Sequence, residues 1–203
     1  MLRFSIFLLV FFLAAPPRTL AGDLLCEELR VCKGETCFSR SSDVAPLTLS
    51  GIAHFRYWGF RVYSAALYTA PGRAVSLGDV GVAEMELRLT YYRELTPKDF
   101  ISSGESLMKD NPEVAFNEIR EQSNQMNALY KKVERGDTYS IHFKPGVGTA
   151  LLLNGALLGV VPGDAFGKAY LGVWLSTSSI SENFTKDLLD SDRIAYKSAS
   201  RAS

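Results

Sequence analysis

The sequence has few of the side chains on which most enzymes and metalloproteins depend. Its 203 residues include two histidines and three cysteines, and its formal net charge is zero. His54 and His142 are too far apart to give a zinc-ligand spacing. The chain has no phosphate-binding loop, dinucleotide-binding glycine pattern or Gly-x-Ser-x-Gly nucleophile motif. The balanced charge offers no basic surface for nucleic acid. We therefore expect no metal, no cofactor and no nucleic-acid partner.

Long apolar runs are also missing, with one exception at the N-terminus. Residues 4–15 (FSIFLLVFFLAA) are almost wholly apolar, follow the basic Arg3 and end at two prolines, and small residues stand at 19 and 21. This order is typical of a cleaved secretory signal. The run is shorter than the about 20 residues of a transmembrane helix. We therefore predict a signal peptide over residues 1–21 and an exported protein, periplasmic or secreted, that keeps no integral membrane segment after cleavage.

The three cysteines lie close together, at Cys26, Cys32 and Cys37. In an oxidising compartment we expect one disulfide among them, and the count leaves one thiol over or paired with another chain. The sequence leaves open which two cysteines pair. These cysteines fall in a polar lead-in at residues 22–46, which we separate from a domain at 47–190 and a polar tail at 191–203.

Strand patterns dominate the predicted domain. Between residues 84 and 91, apolar and polar residues alternate, so that Met85, Leu87, Leu89 and Tyr91 share one face. This period of two is typical of an antiparallel sheet with one solvated face. Asn154-Gly155 is a strong hairpin signal, and Trp58-Gly59 marks another bend. We predict strands over residues 47–52, 60–69, 84–91, 138–143, 149–153 and 156–161.

Helices interrupt these strands. Thr96 and Pro97 are favourable N-cap and first-turn residues, and Asn111-Pro112 repeats that signal before a helical pattern that ends at Arg135-Gly136. Two further helices are predicted over 164–175 and 181–189. Strands and helices grouped in this way indicate an α+β fold, with helices packed on one face of an antiparallel sheet.

One segment has an unusual composition. Residues 54–63 (HFRYWGFRVY) hold one histidine, two arginines and five aromatic residues. Extended geometry would place Arg61 and Tyr63 on one face. An arginine beside a tyrosine hydroxyl on an apolar wall can hold the head of an amphipathic acid. The alternative, that the aromatics fill the core and the arginines reach solvent, remains open.

Four segments in order resemble the bacterial chalcone-isomerase-like family: FRYWGFRVYSAALYTAPG, ELRLTYYRELTPKDF, VERGDTYSIHFKPGVGTALLLNGALLGVV and FGKAYLGVWLS. The resemblance covers about residues 47–189. It implies an open-faced β-sandwich, in which a long antiparallel sheet carries helices over one side with a cleft between them. The wider family contains plant chalcone isomerases and fatty-acid-binding proteins, so the resemblance implies either an isomerase or a binder.

The resemblance also implies where site residues should lie. Isomerases of this type use an arginine on the first long strand, a threonine on the second, and a tyrosine and an asparagine on the next helix. The threonine position falls here on Tyr63, the tyrosine position on Phe100 and the asparagine position on Leu107. The arginine position corresponds to Arg56 or to no residue. Most polar groups of the isomerase site are therefore absent.

We accordingly predict a non-catalytic binder of a fatty acid or another apolar carboxylate. Arg56 or Arg61 would pair with the carboxylate and Tyr63 would hydrogen-bond it, while the tail would be lined by Phe100, Ile101, Leu107 and Met108. One alternative is an isomerase (intramolecular lyase) with a rearranged site, acting on a chalcone-like enone. The other is an envelope interaction protein that contacts its partner through residues 26–37.

Overall fold

The computed structural model describes residues 30–190. The predicted signal peptide, Cys26 and the predicted tail lie outside the described residues. Within them, a separate hairpin of β1 (Arg30–Lys33) and β2 (Thr36–Ser39) precedes the main sheet. A disulfide joins the cross-strand partners Cys32 and Cys37 in this hairpin.

The main sheet is a six-stranded antiparallel meander in which neighbours in sequence are neighbours in space. The predicted strands and the turns at Trp58-Gly59 and Asn154-Gly155 are confirmed, except that the first strand continues five residues beyond its predicted end at Ile52. The strands are β3 (Thr48–Tyr57), β4 (Phe60–Thr69), β5 (Met85–Tyr91), β6 (Thr138–Lys144), β7 (Gly148–Leu153) and β8 (Ala156–Val161).

The helices are α1 (Pro97–Asp110), α2 (Arg120–Leu129), α3 (Asp164–Gly172) and α4 (Glu182–Leu189), with 3-10 turns at Leu77–Asp79 and Phe116–Ile119. The predicted start of α1 is confirmed, because the Thr96 N–H and hydroxyl both donate to Asp99 Oδ2, at 2.8 and 2.7 Å. Across residues 30–190, each helix is too short or too polar to cross a bilayer. The mixed α+β architecture is therefore as the sequence predicted.

The second helix differs from its prediction. Asn111 does not start it: the Asn111 side chain accepts a hydrogen bond from the Glu113 N–H at 2.9 Å and forms a turn instead. The α-helix begins at Arg120 and ends at Leu129. Beyond it, Val133 forms an antiparallel bridge with Leu95, which draws the chain away from the helix axis.

The main core lies between the sheet and the helices. Gly51 shows how closely these layers pack, since a Cβ atom there would come within 1.8 Å of the Leu188 carbonyl oxygen in α4. The core includes Leu67, Leu87, Leu89, Ile141, Leu151, Phe166, Leu171 and Leu188.

The opposite face of the sheet was expected to be solvated, and this prediction is wrong. Glu86 is 0% exposed, accepts a hydrogen bond from Ser42 and pairs with Arg88 at 3.0 Å. Residues 30–47 fold back over this face, so the polar lead-in covers the sheet. A second apolar cluster lies beneath it, made of Val31, Phe38, Leu47, Leu49, Ile52, Ala66 and Tyr68.

A candidate ligand-binding cavity between the sheet and the helices

A cavity of about 550 Å³ opens between the helix-covered face of the sheet and α1 and α3. Its walls are mostly apolar and include Leu89, Ile141, Leu151 and Val173. A volume of this size lies within the about 300–1,000 Å³ of small-molecule sites, which are likewise largely apolar with a few convergent polar groups. The cavity is therefore large enough for a small organic ligand.

Aromatic rings form much of the cavity wall and hold one another edge to face. The Tyr91 ring lies 5.7 Å from that of Tyr63, 5.6 Å from that of Phe100 and 6.1 Å from that of Tyr139. Edge-to-face contacts fix ring orientation in addition to burying apolar area. The wall is thus built from large, mutually braced side chains.

Several tyrosine hydroxyls in this wall are already hydrogen-bonded. Tyr139 accepts from the Lys131 N–H at 2.7 Å and donates to the Lys131 carbonyl at 2.9 Å. The hydroxyls of Tyr130 and Tyr170 bond each other at 2.5 Å. Lys131 thus satisfies Tyr139 as donor and as acceptor, whereas the bond between Tyr130 and Tyr170 uses one of their two protons.

The hydroxyls of Tyr91 and Tyr63 do not donate a hydrogen bond within residues 30–190. Tyr91 is 3% exposed, and its hydroxyl has no hydrogen-bond partner among residues 30–190. Tyr63 Oη accepts a hydrogen bond from Trp174 Nε1 at 3.0 Å. The Tyr63 hydroxyl proton itself has no acceptor among residues 30–190. Both side chains line the cavity, so these two hydroxyls mark where a ligand acceptor would bind.

Burial keeps these phenols neutral. Desolvation raises the pKa of Tyr63, and it raises the pKa of Tyr91 well above its ordinary value, with a smaller contribution from the neighbouring Tyr63. Desolvation also raises the pKa of Tyr130 and Tyr170. At neutral pH, each of these groups therefore offers an O–H donor rather than a phenolate.

The cavity wall also carries a positively charged side chain, that of Arg93. Arg93 is the one basic residue among the described residues that line the cavity, and it is exposed. It has no ion-pair partner within residues 30–190, whereas Asp99, which also lines the cavity, is held by Thr96. Sequence reasoning missed Arg93, although its two-residue spacing from Tyr91 was a usable signal.

Arg61 and Tyr63 do not share a face, contrary to the prediction. In the strand register Phe55 pairs with Tyr63 but Arg56 pairs with Arg61, so Val62 is an extra residue in β4. Such a bulge reverses the side-chain alternation. Arg61 therefore points to the hairpin side, where it pairs with Glu35 at 2.9 Å.

The other predicted site residues divide into two groups. Tyr63, Phe100 and Leu107 all line the cavity, as the family resemblance implied by position. Arg56 is exposed outside it, Ile101 is half-buried on α1 outside it, and Met108 is buried in the core.

The opposite face carries its own polar network. His54 Nδ1 bonds Ser64 Oγ at 2.5 Å, and Ser64 Oγ bonds the Tyr92 hydroxyl at 2.6 Å. Ser64 is fully buried, so this pair lacks the access that a nucleophile needs. Between residues 30 and 190, no three His, Cys, Asp or Glu side chains are close enough to hold a metal ion.

Comparison with known proteins agrees with this architecture. A crystal structure of a fatty-acid binding protein from Arabidopsis thaliana superposes with a TM-score of 0.59 and 16% sequence identity, over 79% of this chain and 96% of that chain. At this identity the likeness shows the fold. A search among curated proteins finds no match. The profile of the chalcone isomerase-like family matches residues 39–190, which is most of the chain, and the protein therefore belongs to the chalcone isomerase-like family.

Proposed function

We propose that this protein binds a fatty acid or another apolar carboxylate in the cavity and performs no catalysis on it. One observation carries the proposal: the Tyr91 hydroxyl has no hydrogen-bond partner among residues 30–190, and its side chain lines an apolar cavity that Arg93 also lines. The fold shared with a plant fatty-acid binding protein supports the same ligand class.

The polar groups suit a carboxylate. An acceptor oxygen from a ligand would give the Tyr91 hydroxyl a hydrogen-bond partner inside the cavity. Tyr91 and Tyr63 each offer an O–H donor, and hydrogen bonds to a charged oxygen are stronger than those between neutral groups. Arg93 supplies the positive charge. This assignment replaces the predicted anchors Arg56 and Arg61, which lie outside the cavity.

The remaining walls suit an alkyl tail. The family resemblance implies that Phe100 and Leu107 stand where the isomerases carry polar groups. Both line the cavity with Leu89 and Ile141. An apolar ligand that leaves water for such walls gains about 25 cal/mol per Å² of buried apolar surface. The cavity therefore favours a ligand with one acidic end and an apolar body.

The same residues argue against an isomerase. Ring closure by a deprotonated phenol needs donors that stabilise developing charge, and losing one such donor costs about 3–4 kcal/mol of transition-state stabilisation. Apolar side chains at Phe100 and Leu107 remove two of these contacts. We expect no turnover of a panel of chalcones and related enones. Turnover that Tyr63→Phe abolishes would favour the isomerase instead.

The decisive experiment measures binding of an acid against that of a matched alcohol. The mature domain would first be examined by native mass spectrometry and solvent extraction for a bound acid. Displacement of a fluorescent fatty acid would then give affinities for a fatty acid and for the alcohol of equal chain length. Tyr91→Phe and Arg93→Gln should each weaken acid binding about tenfold or more, and Arg93→Gln should leave alcohol binding nearly unchanged.

Arg61→Gln is the matched control, because it removes an arginine that pairs with Glu35 outside the cavity. It should leave acid affinity as in the unaltered protein. If Arg93→Gln and Arg61→Gln behave alike, or if the unaltered protein binds no fatty acid, the proposed site is wrong.

We further propose that the protein is exported. The predicted signal at residues 1–21 supports this proposal, and so does the disulfide between Cys32 and Cys37, since such bonds persist in oxidising compartments. N-terminal sequencing of the protein recovered from its native cells should begin after Ala21. Recovery of chains that retain Met1 would argue against export.

A further inference from the structure

The turn between β3 and β4 exposes three large aromatic side chains. Tyr57 is 61% exposed, Trp58 is 84% exposed and Phe60 is 69% exposed. The other exposed large apolar residues of the described chain are single aliphatic side chains at Val82, Val147, Leu157 and Val160. Isolated apolar residues on a surface are ordinary, whereas a contiguous aromatic patch indicates a binding surface.

The backbone of this turn does not require an aromatic residue. Trp58 and Gly59 have φ values of 52° and 81°, and the β7–β8 turn has nearly the same values, 51° at Asn154 and 82° at Gly155. Asn-Gly is the preferred pair for such a two-residue hairpin, because asparagine tolerates positive φ and a bulky side chain does not. Backbone conformation at position 58 thus favours asparagine over tryptophan. The tryptophan is therefore better explained by a contact that its exposed indole ring makes.

The aromatic turn lies at the mouth of the cavity. Tyr57 lines the cavity together with Arg93. Next to Tyr57, Arg56 is exposed and has no ion-pair partner within residues 30–190. The patch therefore combines amphipathic rings with one cation, Arg93, at the opening of an apolar pocket and a second, Arg56, on the opposite face of β3.

We infer that this aromatic turn, residues 57–60, inserts into the interface of a lipid bilayer and brings the cavity mouth to the membrane surface. Tryptophan and tyrosine favour the headgroup region, where an apolar ring and a polar atom are both accommodated. Arg56 and Arg93 are placed to meet lipid phosphates. The membrane contact does not depend on the proposed ligand, although it would give an acyl chain a direct route into the cavity.

A bilayer fits this surface better than a protein partner does. A stable protein interface buries about 800 Å² on each side, usually over a broad area. The patch here consists of three side chains at the tip of a single two-residue turn. Interfacial membrane binding needs no such broad area, because its strength grows with the apolar surface inserted and with attraction of basic residues to anionic lipids.

Vesicle binding of the ligand-free protein tests the inference. Phosphatidylcholine vesicles with and without phosphatidylglycerol would be sedimented with the mature protein. Trp58→Asn copies the residue of the β7–β8 turn, so it should fold at least as stably while partition into vesicles falls about tenfold. Val147→Asn is the matched control, since it changes an exposed apolar residue in the β6–β7 turn, at the opposite end of the sheet, and should leave partition unchanged.

A spectroscopic measurement on the unaltered protein avoids dependence on any variant. The chain has two tryptophans, Trp58 and the buried Trp174. Brominated lipids should quench Trp58, and Trp58→Phe should remove most of that quenching. Three results would overturn the inference: absence of sedimentation with both vesicle types, equal partition of Trp58→Asn and the unaltered protein, or a Trp58 emission already shielded without vesicles. The last result would mean that another part of the chain or a second copy covers the turn.

Discussion

The two faces of the central sheet use alternate residues of the same strands for different purposes. On the helix-covered face, Leu87 and Leu89 of β5 point into an apolar core that contains the cavity. On the other face, Glu86 and Arg88 of the same strand form an ion pair beneath residues 30–47. A groove on this second face is lined largely by polar side chains, Arg88 among them.

The difference separates stability from binding. The second face is held by specific polar contacts, and its groove of about 620 Å³ has a largely polar lining. The helix-covered face instead has an apolar cavity of about 550 Å³ and two tyrosine hydroxyls whose protons have no acceptor within residues 30–190. Breaking contacts on the second face should therefore destabilise the protein without altering the site directly. Changing the cavity wall should alter binding with little loss of stability. The predictions that follow test each half of this separation.

The largest expected effect is on the second face. Glu86→Ala should lower the free energy of unfolding by about 3 kcal/mol, because it leaves the largely buried Arg88 guanidinium without its closest partner. Asp43 remains beside Arg88 at 3.1 Å but is mostly exposed, so it compensates only in part. Urea denaturation followed by circular dichroism would measure the loss.

Glu86→Gln is the control for this prediction. Its amide oxygen still accepts from Arg88 and its amide nitrogen can donate to Ser42 Oγ, so it should cost clearly less than Glu86→Ala. Fatty-acid affinity, measured where both variants are folded, should remain close to that of the unaltered protein. A loss of affinity without a loss of stability would show that the two faces are not independent.

A smaller effect is expected at the cavity wall. Gly104 lies within α1, lines the cavity and has open space where a Cβ would stand. Gly104→Ala should raise the free energy of unfolding by about 1 kcal/mol, because glycine is a poor helix former. The measurement is again urea denaturation, and ligand affinity should change little.

Gly104→Leu provides the contrast. It should keep most of the helix gain, yet weaken fatty-acid binding because its side chain enters the space proposed for the ligand. If Gly104→Leu binds the acid as tightly as Gly104→Ala does, the ligand does not occupy this part of the cavity.

Much of this fold could be predicted from local sequence. Alternation identified β5, Asn154-Gly155 identified the β7–β8 hairpin, and Thr96-Pro97 identified the start of α1. Long-range packing could not be predicted in the same way. The polar residues of the lead-in gave no sign that they would bury Glu86, and the Asn111 side chain made a turn where a helix start was expected.

The site was predicted only in part, because a bulge in β4 changes which side chains face the cavity. Tyr63, Phe100 and Leu107 were placed by family resemblance, and all three line the cavity. The predicted shared face of Arg61 and Tyr63 is wrong, because the extra residue Val62 reverses the side-chain alternation between them. Bulges arise from pairing between strands, so a single strand's pattern does not reveal them.

The smallest expected effect concerns the pH dependence of the second face. Burial, followed by the charges of Lys33, Arg61 and Arg56, lowers the pKa of His54 below 6.5, against a weaker opposing effect of Asp187. The folded state therefore binds this proton less readily than the unfolded state does. Stability from this source is fully present above about pH 6.5, and it is lost as the pH falls through the lower, folded-state pKa.

His54→Asn should reduce this acid sensitivity while keeping an acceptor near Ser64 Oγ. We expect the difference in melting temperature between about pH 8 and pH 5 to be smaller in the variant than in the unaltered protein. The effect should be modest, because His54 is only partly buried and solvent screens its neighbours' charges. Equal pH dependence in both proteins would mean that His54 does not titrate differently on folding. The cavity tyrosines stay neutral between about pH 5 and pH 8, because burial raises their pKa values. Fatty-acid affinity should therefore not follow the titration of His54, as expected if the two faces of the sheet act independently.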